Sequence, residues 1–340
     1  MKNNANLIPN TLINWHFQSF PAAHEKTSFL YEAFNLTPQL LQQQNAILEA
    51  SQYANLVKES ILLFDDESFS SLKTPLKQGT FKLMTHACIT STTLEHALKR
   101  MTQYFRIVSN ELNWFFEADD KNIHVIFDLS DNSNKANEKA NYFSAFMMSS
   151  IWRWLCWMIA KPIFLEKVEF SFISPFKNKE LQQVFNSPIT FNQKQNKISF
   201  SRLYLEQPVK QSPASLVNFL TQIPENLFSH YKTNLSVKSQ VREHLEAQTA
   251  IQKSTLSTVA KTFFCSEQTL IRKLNKEGAS FKEIKNKICK KQAYSYLVQT
   301  NKTIEQIAFD LGFIDTSTFY KNFKRWSKYT PNQYRQLQQK

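Results

Sequence analysis

Two segments near the carboxyl end of the chain carry hydroxyl, amide and cationic side chains at the spacing of a helix surface. The small and apolar residues that begin at Thr255 recur 48 residues later, beginning at Thr303. In each copy a second predicted helix follows, with apolar residues inward and polar residues outward. The inward residues are Leu270 and Leu274 in the first copy and Phe319 and Phe323 in the second. Outward groups that donate hydrogen bonds or carry positive charge can contact base edges and phosphates.

Each copy is therefore predicted to be a helix-turn-helix motif, whose second helix enters the major groove of DNA. Thr255 and Thr303 are expected to cap the first helices. The second helix is expected to begin near Ser266 in the first copy, and near Asp315 or Thr316 in the second, where the turn has one extra residue. The residues expected to contact DNA are Gln268, Thr269, Ile271, Arg272 and Lys273 in the first copy and Thr316, Ser317, Thr318, Lys321 and Lys324 in the second.

Residues 280–300, between the copies, are predicted to form one helix with an apolar side. The apolar residues are Phe281, Ile284, Ile288, Ala293 and Leu297. About 20 residues at about 1.5 Å per residue give a rod of roughly 30 Å, close to the roughly 34 Å of one turn of B-DNA. Two second helices on such a spacer can enter successive major grooves on one side of a duplex. The lysines of the spacer are expected to divide between phosphate contacts and solvent.

Positive charge is concentrated in the same part of the chain. The 340 residues include 41 Lys and Arg against 28 Asp and Glu, a net charge of +13. Residues 230–340 hold 20 basic and 8 acidic side chains, whereas residues 1–229 hold 21 and 20. This segregation indicates a polyanionic partner for the last third alone. Two alternatives remain open: an architectural protein that binds DNA nonspecifically through charge, and a basic region that docks on an acidic protein.

The first two thirds of the chain show both helical and strand periodicity, which predicts a mixed α+β domain. Helices are expected over residues 37–55 and after a capping box of Thr92 and Glu95. The predicted strands are 112–117 and 122–128 as one hairpin, 167–173, and 189–191 with 197–200 as a second hairpin.

Residues 142–159 are mostly apolar and approach the length of a membrane span. Because Arg153 lies in the middle of this stretch, we expect a buried core helix instead. We place the mixed regulatory domain at residues 1–210, a linker at 211–234 and the basic helical domain at 235–340.

The composition argues against catalysis, metal binding and secretion. The chain has three glycines, too few for a phosphate loop, a dinucleotide fingerprint or a nucleophile elbow. Its four cysteines are far apart without a CxxC pair, and its seven histidines form no HExxH motif. The amino terminus has no apolar stretch typical of a secretory signal. We therefore expect no enzyme, no cofactor and no metal, a cytoplasmic location, and no membrane partner.

The residues of both copies resemble the two signature motifs of the AraC/XylS family of bacterial transcription regulators. The second and more specific motif is matched by Ile307-Ala308-Phe309-Asp310-Leu311-Gly312-Phe313, by Phe323-Lys324-Arg325-Trp326, and by Thr330-Pro331 with Tyr334-Arg335. The part before them is similar to the regulatory domain of the arabinose-binding-type subgroup. That similarity is carried by Thr93-Leu94-Glu95, Ala97-Leu98 and Pro188-Ile189-Thr190-Phe191.

The resemblance implies an α+β N-terminal regulatory domain followed by an all-α DNA-binding domain with two helix-turn-helix motifs joined by a linker helix. It implies a sequence-specific transcription regulator, activator or repressor, whose partners are double-stranded DNA, a small-molecule effector of unknown identity, a homodimer partner and RNA polymerase. The base-edge contacts that it implies are those of Gln268, Ile271, Arg272, Thr316, Ser317, Thr318 and Lys321.

The chain departs from the family pattern at two places. The first turn holds Phe264 and Cys265, where the family often has a small residue or glycine. Cys289 stands in the spacer where the family commonly has arginine, so any contact of that arginine is absent or passes to Lys290. The resemblance does not identify the effector, and the aromatic residues of the first domain suit either a core or an apolar pocket. These are Trp114, Phe116, Trp152, Trp154 and Trp157.

Overall fold

The computed structural model describes residues 7–43, 48–130, 137–174, 180–185, 187–223 and 236–338. The chain divides into two compact units, Met1–Lys232 and Thr233–Lys340. The first contains helices and strands and the second contains helices in its described part, which confirms the predicted fold class.

The early part of the first unit is mainly helical. Its helices are α1 (Asn10–Gln18), α2 (Glu25–Ala33), α3 (Pro38–Leu41), α4 (Ala50–Phe64), α5 (Thr80–Cys88) and α6 (Leu94–Val108). A longer helix and two short ones follow, α7 (Glu138–Met158), α8 (Glu180–Phe185) and α9 (Pro213–Thr221). α9 lies in the predicted linker, residues 211–234, of which the last part, 224–234, is outside the described residues.

Two sheets accompany these helices. The smaller pairs β1 (Leu7–Ile8) with β2 (Leu48–Glu49). The strands of the larger sheet are β3 (Leu112–Ala118), β4 (Asn122–Leu129), β5 (Leu165–Glu169), β6 (Ile189–Thr190) and β7 (Asn196–Ser201). Their order is β3-β4-β7-β5-β6, so β3 is an edge strand. β3 and β4 pair antiparallel around a tight turn, which confirms the predicted first hairpin.

The structure corrects several predicted elements. The single helix over 37–55 is wrong, because Leu48–Glu49 pairs with Leu7–Ile8 and separates α3 from α4. The cap of α6 is Thr93 rather than Thr92, since the Thr93 hydroxyl accepts a hydrogen bond from the His96 N–H (3.3 Å).

The predicted second hairpin is also wrong. β5 lies between β6 and β7, pairing parallel with the former and antiparallel with the latter. The strand predicted over 167–173 begins two residues earlier and ends at Glu169.

The core of the first unit is built around α7. Arg153 is buried together with Tyr142, Phe143 and Trp154 of this helix, which confirms the predicted core helix. In the part of the chain that the structure describes, we find no helix with the length and apolar character needed to cross a membrane. Trp114 and Trp154 lie in the core, whereas Trp157 is half-buried and stacks on Phe219 of α9 with ring centroids 4.0 Å apart.

A chain of buried polar side chains joins three helices within this core. The His16 ring on α1 hydrogen-bonds to the Tyr142 hydroxyl on α7 (2.8 Å) and to the Ser60 hydroxyl on α4 (2.9 Å). The hydroxyls of Tyr53 and Tyr142 are 2.9 Å apart. Because His16 is fully buried, its pKa falls to about 3, so the ring is neutral at physiological pH. Both ring nitrogens of His16 therefore have a hydrogen-bond partner, as buried polar groups require.

The second unit contains seven described helices. They are α10 (Val237–Glu246), α11 (Leu256–Thr262), α12 (Glu267–Lys276), α13 (Phe281–Gln299), α14 (Ile304–Asp310), α15 (Thr316–Ser327) and α16 (Pro331–Gln338). A short 3-10 turn, Ile251–Lys253, precedes α11. Glu277 fixes the start of α10, because its carboxylate accepts hydrogen bonds from the Val237 and Lys238 N–H groups (both 2.9 Å).

Candidate nucleic-acid interface

The first helix of each repeat begins at the predicted threonine. The Thr255 hydroxyl accepts a hydrogen bond from the Thr258 N–H (3.1 Å), and the Thr303 hydroxyl accepts one from the Gln306 N–H (3.2 Å). In both copies the third residue of the helix accepts in return from the threonine N–H. These reciprocal bonds satisfy N–H groups that the helix cannot pair internally. The predicted caps are confirmed.

Two residues after the end of each first helix lies a residue in the left-handed region. This residue is Phe264 in the first copy (φ 50°) and Gly312 in the second (φ 82°). In both copies the next residue donates its N–H to the carbonyl five positions earlier, at 3.0 Å. The same backbone bond therefore closes both turns, although one turn uses phenylalanine where the other uses glycine.

The second helices begin at capping residues of different chemistry. Ser266 caps α12 by accepting from the Thr269 N–H (3.1 Å), and Asp315 caps α15 by accepting from the Thr318 N–H (2.6 Å). Ser266 follows the left-handed residue by two positions and Asp315 by three. The predicted starts and the extra residue in the second turn are confirmed.

α12 presents three of the five side chains that sequence analysis placed at DNA. Gln268, Ile271 and Arg272 are exposed. Lys273 is 3% exposed and Thr269 is 4% exposed, so the expectation that Lys273 points outward is wrong. The Thr269 hydroxyl accepts a hydrogen bond from Ser266 (2.9 Å). Because α12 packs against α10 as well as α11, its buried side is wider than the Leu270 and Leu274 stripe predicts.

α15 presents its predicted side chains more fully. Ser317, Thr318, Lys321 and Lys324 are exposed, and Thr316 is half-buried. The Thr318 hydroxyl donates to the Asp315 carboxylate (2.8 Å), which leaves its lone pairs as acceptors. Phe319 and Phe323 are buried, as predicted.

Further exposed side chains lie on the outward faces without having been predicted as DNA contacts. Asn275 and Lys276 follow Arg272 on α12, and Arg325 follows Lys321 on α15 by one turn. A spacing of three or four residues from the predicted contacts is the signal that identifies them. Partial burial, and secondarily the charge of Arg272, lower the pKa of Lys276. The outward face of α12 thus carries two neighbouring positive charges.

α13 connects the two copies as the predicted spacer. Its 19 residues begin after Ser280 and end at Gln299, and at about 1.5 Å per residue they form a rod of about 28 Å. Ile284, Ile288, Ala293 and Leu297 are buried as predicted, whereas Phe281 is half-buried.

The lysines of α13 serve different purposes. The Lys285 ammonium donates to the carbonyls of Gln252 and Ser254 (both 2.8 Å), and burial lowers its pKa. The Lys290 ammonium donates to the carbonyl of Trp326 at the end of α15 (3.2 Å). Lys285 thus ties the rod to the segment before α11, and Lys290 ties it to the second copy. The lysines exposed on the rod are Lys282, Lys287 and Lys291.

Cys289 is the second departure from the family pattern. Cys289 is buried, and burial raises its pKa to about 11. The neighbouring Lys290 ammonium is bound at Trp326 as described. Phe313 and Trp326 are half-buried. The ring centroids of Phe313 and Phe319 are 5.3 Å apart, and those of Trp326 and Phe323 are 6.5 Å apart.

Family models match both units of the chain. Residues 27–209 match the arabinose-binding domain found at the N-terminus of AraC transcription regulators. Residues 259–337 match a helix-turn-helix domain that covers most of both copies and the rod between them.

Individual proteins match the chain over different lengths. The ornithine utilization regulator of Pseudomonas aeruginosa is 23% identical over 308 residues, which is 90% of each chain. The urease operon transcriptional activator of Escherichia coli is 37% identical over 98 residues, 29% of this chain and 33% of that protein. Among solved structures, the transcriptional regulator CdpR from Pseudomonas aeruginosa is 18% identical with a TM-score of 0.33, covering 93% of this chain and 98% of that one.

The arabinose-binding model alone spans more than half of the chain, and the helix-turn-helix model adds the region where the two copies were described. The chain therefore belongs to the AraC/XylS family, as a sequence-specific DNA-binding transcription regulator with an arabinose-binding-type N-terminal domain.

Proposed function

We propose that α12 and α15 enter two successive major grooves on one side of a promoter. The observation that carries this proposal is that both helices turn a polar and cationic face to solvent while one rod of about 28 Å separates the two motifs. A turn of B-DNA is roughly 34 Å, so a rod of this length suits motifs that bind one turn apart.

The charges on these faces favour DNA over a neutral partner. Arg272 and Lys276 lie one turn apart on α12, and their mutual repulsion is relieved when a phosphate lies between them. α15 carries Lys321, Lys324 and Arg325 on its exposed face. Each cation that neutralises a phosphate also releases counterions, which adds affinity that depends on salt.

Specificity is assigned to exposed side chains within the first six residues of each helix. Arg272 suits bidentate contact with guanine, Gln268 with adenine, and Ile271 suits a thymine methyl group. Ser317 and Lys321 occupy corresponding outward positions on α15. Thr269 and Lys273 are left out of the proposed contacts because they would have to leave the protein interior to reach a base.

The test is selection of duplexes from a random library with the full-length protein, followed by hydroxyl-radical footprinting. We expect one enriched sequence and two protected patches about one helical turn apart on one face. Arg272→Ala and Lys321→Ala should each relax selectivity at one base position, by about 1–3 kcal/mol.

The matched control is Arg242→Ala, which removes an exposed positive charge from α10 and should weaken binding without changing the selected sequence. Equal affinity for random and selected duplexes would support the nonspecific architectural alternative. A single protected patch would contradict the use of both motifs.

For the first unit we propose regulation by a small-molecule effector, by pairing with a second copy, or by both, with RNA polymerase as a partner and the cytoplasm as the location. The arabinose-binding family model supports an effector. Thermal melting of the full chain with arabinose and with ornithine, the compound after which the full-length relative is named, tests two effector candidates. A shift with either compound identifies the class, and unchanged melting with both excludes them.

Self-association is supported by β3, which is an edge strand of the larger sheet as far as the described residues show. The Asp119 and Ser130 N–H groups bond across the β3–β4 pair to Asn122 and Glu111, so the odd-numbered residues of β3 face β4. The even-numbered residues direct their N–H and C=O groups to the edge, where a second strand can pair. Sedimentation equilibrium checks this, and a monomer at every concentration contradicts it.

A further inference from the structure

We propose that Ile314 is a further DNA-contacting residue, which packs against an apolar group of the duplex beside the groove that α15 enters. The inference rests on the proposed function and deepens it, because it adds an apolar contact to a surface otherwise made of polar and cationic groups.

Ile314 is the extra residue of the second turn. The left-handed residue and the helix cap are separated by Cys265 in the first copy and by Phe313 and Ile314 in the second. The first of these two residues keeps the backbone bond that closes the turn, since the Phe313 N–H donates to the carbonyl five positions back. Ile314 is therefore free of that constraint and stands directly before Asp315, the cap of α15.

The side chain of Ile314 is 99% exposed, although its position offers a structural use for an apolar residue. A residue directly before a helix cap commonly packs against the fourth residue of the helix, which is Phe319 here. That place is taken by Phe313, whose ring centroid is 5.3 Å from that of Phe319. Packing inside the unit therefore does not account for an isoleucine at position 314.

A contact with the duplex accounts for an apolar side chain at position 314. In helix-turn-helix motifs the start of the second helix lies closest to DNA. Ile314 lies two residues before the first residue of α15 and three before Ser317, which is exposed on the same helix. The apolar groups of DNA in reach of such a position are the thymine methyl group, which is in the major groove, and the deoxyribose of the backbone.

The experiment uses the duplex that the full-length protein selects from a random library. Binding of the wild type is compared with that of Ile314→Ala by fluorescence anisotropy at one salt concentration. Leu337→Ala is the matched control, because it removes the same number of carbons from another exposed apolar side chain of this unit. Burial of an area equal to about one methyl group against the duplex predicts about fourfold weaker binding for Ile314→Ala and no change for Leu337→Ala.

Replacing single thymines by deoxyuracil, which lacks the methyl group, distinguishes the two apolar sources. If Ile314 contacts a methyl group, one such replacement weakens wild-type binding and has no further effect on Ile314→Ala. If Ile314 contacts deoxyribose, Ile314→Ala weakens binding while no thymine replacement shows this coupling. Both results support the proposal.

Binding of Ile314→Ala within twofold of the wild type overturns the proposal and leaves the proposed function intact. A selection that enriches no sequence overturns both. Because the side chain is exposed, the variant is expected to keep the wild-type melting temperature, and a melting scan of the same sample confirms that any loss of binding comes from the contact.

Discussion

The two helix-turn-helix copies have the same backbone conformation at the turn, but different residues adopt it. Phe264 and Gly312 occupy the same place in their repeats, both with positive φ. Phenylalanine in this region is strained, by about 1–2 kcal/mol relative to glycine. The first copy therefore keeps its turn through hydrogen bonds despite the side chain, which shows that glycine is not required for the turn itself.

Glycine in the second copy has a separate reason. A Cβ atom at position 312 would lie 3.0 Å from the carbonyl oxygen of Ala250, in the segment before the first copy. The Gln252 N–H also donates to the Leu311 carbonyl (2.9 Å). The turn of the second copy is thus a packing surface for the first, whereas the turn of the first copy leaves room for a half-buried ring.

Among the variants that test this comparison, Gly312→Ala is expected to lower the free energy of unfolding most. The variant combines the cost of a side chain at positive φ with the close approach to Ala250, so we expect a loss of about 2 kcal/mol or more in the free energy of unfolding. The control is Gly278→Ala, where φ is 62° but nothing lies within 4 Å of the added Cβ. Urea denaturation of the full chain should give about 1 kcal/mol for the control. Equal losses would mean that Ala250 moves aside freely.

The next largest difference in the free energy of unfolding is expected between variants of the two lysines that anchor the rod. Lys285→Met leaves the carbonyls of Gln252 and Ser254 without their donor. We expect the free energy of unfolding to fall by about 1.5 kcal/mol. Each hydrogen bond contributes roughly 0.5–1.5 kcal/mol, and the cost of burying the ammonium offsets part of that contribution. Lys290→Met removes one longer bond to Trp326 and should cost about 0.5 kcal/mol.

These lysine variants also separate anchoring from DNA contact. If Lys285 is held within the protein, its removal should leave the salt dependence of DNA binding unchanged, whereas Lys321→Met should reduce the salt slope by about one unit. A reduced slope for Lys285→Met would show that its ammonium leaves the Gln252 carbonyl to bind phosphate.

Much of this comparison can be predicted from sequence, because it depends on local rules. Thr255, Thr303 and Ser266 are hydroxyl residues at the start of periodic apolar stripes, and helix capping is determined by neighbours within three residues. The buried pairs of α12 and α15 follow from the same periodicity. The extra residue before Asp315 also appears in the sequence, as a change of the repeat offset from 48 to 49.

The remainder depends on contacts between distant segments. Lys273 is buried on a helix that also packs against α10, which is not part of the repeat. The 37–55 segment divides because Leu48–Glu49 finds a partner strand at the start of the chain. β5 separates β6 from β7 although the alternation of each strand is compatible with a hairpin. Periodicity within a segment carries no information about which partner lies beside it.

The strain proposed for Phe264 gives a smaller and more specific test. Phe264→Ala loses the packing of the half-buried ring and keeps a Cβ at positive φ, whereas Phe264→Gly loses the same packing and removes the strain. We therefore expect the glycine variant to be more stable than the alanine variant by about 1 kcal/mol, by thermal or urea unfolding. At a position with negative φ the order reverses, so an alanine variant that is more stable would contradict the left-handed turn in the first copy.

The smallest expected difference concerns the caps of the two DNA-facing helices, and it appears only in acid. Hydrogen bonds from the Thr318 N–H and hydroxyl lower the pKa of Asp315 below its ordinary value, while Ser266 does not titrate. A carboxyl group whose pKa is lower in the folded state stabilises that state above its unfolded pKa, and the contribution disappears as pH falls through the folded value. Below about pH 4, amide hydrogens in the first turn of α15 should therefore exchange faster in NMR spectra. The increase should be larger than in α12, whose first turn also holds the carboxyl group of Glu267 but whose cap carries no charge. Asp315→Ser gives the second copy the cap of the first and should remove the difference. If the first turn of α15 still loosens in acid in that variant, the acid sensitivity belongs to another group and the two caps are equivalent.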